Sequence, residues 1–181
     1  MRIFALSDIH ADYSENMEWV SGLSAVDFTD DVLLLAGDIS HKLDLLKWTL
    51  ELLRSKFARL FFVPGNHDLW VRGNGCADSI EKYRIIMATC AEMDVLTRPT
   101  QLGSSGGGPW VVPLASWYVK PEESAASLYV EKKGEDPRLK MWVDDRAVVW
   151  PALEDGVTAA AFFHALNRCD EVRPSDGPVI S

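Results

Sequence analysis

Three short clusters of polar residues carry the side chains best suited to chemistry. Carboxylates, an amide and imidazoles recur in Asp8-Ile9-His10, Gly37-Asp38 and Gly65-Asn66-His67-Asp68. Hard oxygen donors mixed with imidazole nitrogen suit Mn, Fe or Zn rather than a thiolate-rich structural site. An aspartate at a strand end is by itself more typical of a helix cap or a turn, and the third cluster is a stronger signal, although its Asn-His pair could form only a turn. Their order, with 30 residues from Asp8 to Asp38 and 28 from Asp38 to Asn66, indicates a shared metal site.

Each cluster directly follows a short apolar run, and the three runs are Ile3–Leu6, Val32–Ala36 and Leu60–Val63. Apolar runs bounded by turn-forming residues predict strands that are buried on both faces. Helical patterns over Tyr13–Leu23 and Leu43–Phe57 separate these strands. The alternation predicts an α/β fold with a parallel sheet, whose ligand crevice lies beyond the carboxyl ends of the strands. The three clusters are therefore expected to meet at that edge.

Two metal ions are plausible in such a site. A dinuclear centre needs at least one bridging carboxylate, and Asp38 follows the middle of the three runs. Asp8 and His10 are then expected to bind one ion, and Asn66 the other. The neutral amide of Asn66 keeps the site positive enough to accept a phosphate ester.

The rest of the chain gives weaker signals. Asp78–Met93 and Val157–Leu166 have helical patterns, and the glycine-rich segment Gly103–Gly108 predicts a hairpin or loop tip. Trp110–Tyr118 is strand-like but is interrupted by a proline, and Val119–Pro137 is charged and turn-rich, as expected of a surface excursion.

Composition places the chain among ordinary globular proteins. Its 181 residues are expected to form a single domain, 1–181. The net charge of -9 disfavours a nucleic-acid partner held by phosphate contacts. Three widely spaced cysteines, the absence of a signal peptide and the absence of an apolar run of ~18 residues predict a soluble cytoplasmic protein without a membrane partner. The oligomeric state is left open.

The three clusters resemble the ordered motifs D-x-H, G-D and G-N-H-D of the calcineurin-like metallophosphoesterase superfamily. The longer strings DIHADYSENMEWV and VPGNHDLW resemble a single-domain intracellular branch of it. The resemblance implies an αββα sandwich fold. It also implies a phosphoester hydrolase, a phosphatase or phosphodiesterase, in which a hydroxide bridging two metal ions attacks phosphorus.

Residue roles follow from the same resemblance. It implies that Asp8 and His10 bind the first metal, that Asp38 bridges, and that Asn66 binds the second metal and touches the substrate. His67 would stabilise the transition state or protonate the leaving oxygen, with the last residue of its motif, Asp68, orienting it.

The resemblance stops after the third motif. The family pattern continues with a further histidine and a Gly-His-x-His motif, whereas this chain ends at Pro178–Ser181, a run similar to the start of a strand. We therefore expect a fold that is incomplete at its C-terminus, an N-terminal portion with half of the metal site, weak metal binding and poor hydrolysis. His41, expected to face solvent at a helix start, and His164, expected within a helix, do not replace the missing ligands.

Two other functions remain open at this stage. One is a non-catalytic interaction module, or an inactive fragment, with the same fold. The other is a nuclease-type phosphodiesterase, which the acidic balance disfavours. Trp70, Trp117 and Tyr118 are candidates for a substrate pocket, although core packing is the commoner role of such residues.

Overall fold

The computed structural model describes residues 1–103, 107–119, 133–134, 143–150, 158–168 and 177–181 of the chain. Most of the expected surface excursion, Val119–Pro137, lies outside the described residues. The strands, helices and contacts of the fold all belong to the described ranges.

A three-stranded parallel sheet forms the N-terminal part of the fold. Its strands are β1 (Ile3–Leu6), β2 (Val32–Ala36) and β3 (Arg59–Val63), in the order β1-β2-β3. The register pairs Ile3 with Val32 and Val32 with Arg59. The three apolar runs predicted as strands are thus confirmed, and so is their parallel pairing.

Three helices connect and follow these strands. They are α1 (Ser14–Gly22), α2 (Leu43–Lys56) and α3 (Ser79–Glu92). Each helix begins and ends within one residue of the range predicted from the sequence. The start of α3 is set by Asp78, whose carboxylate accepts hydrogen bonds from the backbone nitrogens of Ile80 and Glu81. Such a cap satisfies amide groups that have no partner within the helix.

Alternation along the central strands divides the core into two layers. Leu33, Leu35 and Phe62 pack with the helices, whereas Val32 and Phe61 pack on the opposite face. Side chains of a strand alternate between the faces of its sheet, so strands with apolar residues at every position require cover on both sides. This arrangement explains why the runs are continuously apolar.

The cover on the second face is a smaller sheet of two-residue strands. It contains β4 (Thr100–Gln101), β5 (Trp110–Val111) and β6 (Val179–Ile180), with β4 antiparallel and β6 parallel to β5. Leu102 and Val111 meet the side chains of β2 and β3 between the sheets. The predicted hairpin around the glycine-rich segment is confirmed by the β4–β5 pairing. Strand structure after Trp110 ends at Val111, shortly before Pro113, which has no backbone N–H to donate.

Two further helices complete the described part of the chain. They are α4 (Asp144–Ala147) and α5 (Ala159–Arg168). On α5 the buried Phe163 packs among Tyr83, Trp117 and Trp150. The helix predicted over Val157–Leu166 is confirmed from residue 159 onward. None of the described helices has the length and apolar character needed to cross a bilayer.

Candidate metal centre

The loops after β1 and β2 run side by side beyond the sheet. Backbone nitrogens of the first loop donate to carbonyl oxygens of the second, from Asp8 to Gly37 at 3.1 Å and from His10 to Asp38 at 2.9 Å. The parallel pairing of the strands therefore continues into the segments that carry the polar clusters. This continuation places the Asp8 and Asp38 clusters next to each other.

The loop after β3 joins them through a close contact between two glycines. A Cβ atom on Gly37 would lie 2.5 Å from the backbone nitrogen of Gly65, and one on Gly65 would lie 2.1 Å from Oδ1 of Asp38. Gly37 also has a positive φ of 74°, a conformation that glycine adopts without steric cost. The glycines of the second and third motifs are therefore required by the contact between the loops.

Asp8, His10 and Asp38 come together as a group of metal-ligand atoms. One ligand atom from each lies within 4.8 Å of the others, and Asp8 Oδ1 is 3.9 Å from His10 Nε2. All three residues have positive φ values, 54°, 43° and 56°. Left-handed backbone at a residue other than glycine is uncommon and is concentrated at functional sites. Two carboxylates and an imidazole fit Mn, Fe or Zn, so the donor set is suited to the metal chemistry expected from the sequence.

Asn66 lies beside this group and is held by a residue that sequence reasoning missed. The next backbone nitrogen, that of His67, donates to Asp38 Oδ1 at 2.9 Å. The side-chain nitrogen of Asn66 donates to both carboxylate oxygens of Asp144, at 3.1 and 3.0 Å. Asp144 lies in the run MWVDDRAVVW, and no pattern in the sequence links that run to Asn66.

His67 is enclosed by aromatic rings and bonded to a carboxylate. Its ring centroid lies 4.8 Å from that of His10, 5.2 Å from His41 and 4.1 Å from Trp70. Its Nε2 lies 3.0 Å from Oδ2 of Asp12, and the His67 side chain is only 12% exposed. The ring is therefore held in one orientation.

Asp12, the second residue that the sequence did not single out, contacts both His67 and His41. In addition to His67, it accepts a hydrogen bond from Ser40 Oγ at 2.9 Å, and its Oδ1 lies 3.0 Å from Nδ1 of His41. Partial burial raises the pKa of the Asp12 carboxyl, but the hydrogen bonds from His67 and Ser40 outweigh burial and lower the pKa overall. Asp12, His10 and His67 also form a second group whose ligand atoms lie within 4.8 Å of one another.

Asp68 does something different from the expected orientation of His67. Its buried carboxylate accepts four backbone hydrogen bonds of 2.8 to 3.0 Å, from the nitrogens of Asp38, Ile39, Ser40 and Gly65. Burial raises the pKa of Asp68 to about 6, against the lowering effect of these bonds. The expected role is thus corrected, because the carboxylate beside His67 Nε2 is that of Asp12, whereas Asp68 joins the loops after β2 and β3.

The other histidines and Trp117 lie in three different environments. His41 was expected to face solvent, but its side chain is only 29% exposed and its ring lies against His67 and Trp70. Burial lowers the pKa of His41. His164 is exposed on α5. Trp117 stacks on Phe163 in the core, as the commoner role of tryptophan suggested.

A buried lysine supports the site from α3. Lys82 is fully buried, and its ammonium group donates to the backbone carbonyl oxygens of His41 and Trp70. Burial lowers the pKa of Lys82 to about 8. The lysine connects the segment after β2 with the segment after β3 and places a positive charge under an otherwise acidic site.

Comparison with known proteins gives a family match and a curated relative. A family model described as calcineurin-like phosphoesterase matches residues 1–168. The chain is 33% identical over 121 residues to the [acyl-carrier-protein] phosphodiesterase PptH of Mycobacterium tuberculosis (strain ATCC 25618 / H37Rv), a match that covers 64% of this chain and 37% of the relative.

A solved structure is also similar. The crystal structure of phosphopantetheinyl hydrolase (PptH) from Mycobacterium tuberculosis superposes with a TM-score of 0.67 and 25% sequence identity. The match covers 92% of this chain and 61% of that one, so the chain spans less than two thirds of the length of either PptH chain. The family match over most of the chain, together with the shared fold, shows that the protein belongs to the calcineurin-like phosphoesterase family.

Proposed function

We propose that the protein is a metal-dependent phosphoester hydrolase with a dinuclear centre of Mn, Fe or Zn. Asp8 and His10 would bind one ion, Asn66 the other, and Asp38 would bridge them. The convergence of the ligand atoms of Asp8, His10 and Asp38 within 4.8 Å is the observation that carries the proposal. Two cations held by these residues would supply positive charge to neutralise the phosphoryl oxygens and to lower the pKa of a water molecule.

The residues around the metal ligands have separable tasks in this proposal. His67 is the proton donor to the leaving oxygen, and Asp12 holds its ring through the contact at Nε2. Trp70 packs against the same ring and limits its rotation. Asp68 keeps Asp38 in place through the backbone, since it accepts the Asp38 N–H. A general acid in the position of His67 typically contributes 10²- to 10⁴-fold to the rate.

For the substrate we propose a phosphodiester. The relative with 33% identity is named as a phosphodiesterase of acyl carrier protein, and the similar structure as a phosphopantetheinyl hydrolase. The bond between phosphopantetheine and a carrier-protein serine is a phosphodiester. Faster hydrolysis of bis(p-nitrophenyl) phosphate than of p-nitrophenyl phosphate supports the diester, and release of phosphopantetheine from a carrier protein tests the natural leaving group.

The activity itself is tested by Asp38→Ala. Removing the bridging carboxylate is expected to reduce Mn²⁺-dependent hydrolysis of the diester by roughly 10²- to 10³-fold, the range for loss of one preorganised electrostatic group. Asp30→Ala, which removes the same charge from an exposed position before β2, is the matched control and should retain activity. Equal rates in wild type and Asp38→Ala would contradict the proposal.

The alternative is a non-catalytic interaction module with the same fold. It is favoured by the ligand count, because the described residues bring together five aspartate and histidine side chains beside Asn66, fewer than two ions need for full coordination. Titration with Mn²⁺ separates the two functions. Saturable binding of two ions supports the hydrolase, and absence of binding by the folded protein supports the module. Whether the chain is an N-terminal portion of a longer enzyme stays a prediction.

A further inference from the structure

Asp144 is a buried carboxylate that accepts hydrogen bonds from three side chains of the described part of the chain, including that of Asn66 at the candidate metal centre. The residue is 3% exposed and lies at the start of α4. Its Oδ1 accepts from Trp70 Nε1 and Asn66 Nδ2, and its Oδ2 accepts from Asn66 Nδ2 and from the hydroxyl of Tyr118 at 3.0 Å. Burial of a charge is costly unless it is hydrogen-bonded, and these three donors provide that compensation.

The contact with Asn66 has a directional consequence. An asparagine amide is planar, so its oxygen and nitrogen diverge from one carbon, and rotation by about 180° exchanges their places. A carboxylate only accepts hydrogen bonds, so it binds the nitrogen end and repels the oxygen end. With Nδ2 bonded to Asp144, Oδ1 is directed away from it.

We infer that Asp144 is a positioning residue for the metal centre, which turns the Asn66 Nδ2 toward itself so that Oδ1 is presented as a ligand. The inference rests on the proposed function, since it assigns a purpose to the orientation of a proposed metal ligand.

Trp70 and Tyr118 complete the arrangement. Trp70 contacts His67 on one side and donates to Asp144 on the other, so the same carboxylate is bonded to Asn66 and is linked through Trp70 to His67. Tyr118 comes from the segment after β5 and donates to the second oxygen. The carboxylate is thus restrained by three residues and can itself restrain the amide.

The first test is the side-chain amide of Asn66 in the metal-free 181-residue protein. Its two N–H resonances are identified by their disappearance in Asn66→Ala, and the N–H directed at Asp144 is expected to be protected from solvent exchange in wild type. Protection should be lost in Asp144→Leu, a change to a side chain of similar size that removes both acceptor oxygens. Unchanged protection in a folded Asp144→Leu protein would overturn the inference.

The second test is Mn²⁺ affinity measured by calorimetry. Removing a group that orients a metal ligand typically costs 10- to 100-fold in affinity. Asp144→Ala is expected to weaken binding of one ion by that factor and to have no further effect in an Asn66→Ala background. Asp145→Ala, which removes the same charge from the neighbouring exposed position, is the matched control and should bind as wild type does.

The outcomes separate this inference from the proposed function. Absence of Mn²⁺ binding by wild type overturns the proposed function and, with it, the purpose assigned to Asp144. Binding by wild type with an unaltered affinity in Asp144→Ala overturns the inference alone. Equal losses from Asp144→Ala with and without Asn66 also overturn it, because Asp144 would then act on the fold and not through the amide. If Asp144→Ala does not fold, Asp144→Leu, which also removes both acceptor oxygens, provides the same comparison.

Discussion

Asp68 and Asp144 are both buried carboxylates beside the candidate metal centre, but they are held in different ways. Asp68 accepts four backbone N–H groups from the loops after β2 and β3. Asp144 accepts side-chain donors from the segment after β3 and from the segment after β5. The Asp68 region depends on the path of the backbone, and the Asp144 region depends on which side chains the fold brings together. Substitutions are therefore expected to act on stability in the first region and on the chemistry of the site in the second.

The largest expected effect comes from breaking the backbone-built region at Gly65. Gly65→Ala places a Cβ atom 2.1 Å from Oδ1 of Asp38, so the loops must separate. Overpacking of this kind costs about 1–3 kcal/mol, and we expect the free energy of unfolding in urea to fall by that amount.

Gly22→Ala is the matched control for this change. Gly22 ends α1, and a Cβ atom there would meet nothing within 4 Å. Alanine at a compatible position stabilises by about 0.4–1 kcal/mol, so the two variants should move the urea midpoint in opposite directions. A fall of equal size in both would show that the contact between the loops is not the cause.

A smaller effect, on the rate of hydrolysis and not on stability, is expected when the contact between Asp12 and His67 is changed. Asp12→Asn keeps the size of the side chain that lies 3.0 Å from His67 Nε2 but removes its charge. We expect kcat of Mn²⁺-dependent diester hydrolysis to fall about 10- to 100-fold, as for other outer contacts of a metal site, with KM little changed. Asp30→Asn is the control at an exposed position. A rise in KM at constant kcat would instead place Asp12 against the substrate.

The smallest effect is a pH dependence of stability at Lys82, which links the two loops. The pKa of Lys82 is about 8 in the folded protein, against an ordinary value of 10.5. Between these pH values Lys82 binds more protons in the unfolded chain than in the folded one, so the contribution of Lys82 to stability rises with pH, by at most about 1.4 kcal/mol per pH unit.

Lys82→Met removes this contribution and leaves the carbonyl groups of His41 and Trp70 without their donor. The variant should be less stable at pH 7.5, and its deficit relative to wild type should widen toward pH 10.5, as measured by urea unfolding at four pH values. Lys47→Met, at an exposed position of α2, is the matched control. A deficit that stays constant with pH would contradict the lowered pKa.

The difference between the Asp68 region and the Asp144 region also explains which parts of the structure could be predicted from the sequence. The strands, the helices and the meeting of Asp8, His10 and Asp38 follow from apolar runs and turn residues that are adjacent in the chain. Glycine in the second and third motifs carries the same local information, because it is needed where backbones touch.

Other parts of the site could not be predicted because their partners are remote. Asp144 is 78 residues from Asn66, and Asp12 is 55 residues from His67. Acidic residues are common on protein surfaces, so neither position differs from a solvent-exposed aspartate in pattern or spacing. The role of Asp68 was misplaced for a related reason, since adjacency to His67 in the chain says little about which atoms a buried carboxylate can reach.

The contact between Gly37 and Gly65 has a consequence for protein engineering. Since the loops after β2 and β3 abut with no side chain between them, the floor of the site is made of main-chain atoms. Grafting the ligands alone onto another parallel sheet would therefore leave neighbouring strand ends too far apart. A successful transplant has to carry both glycines and the carboxylate that ties their loops together.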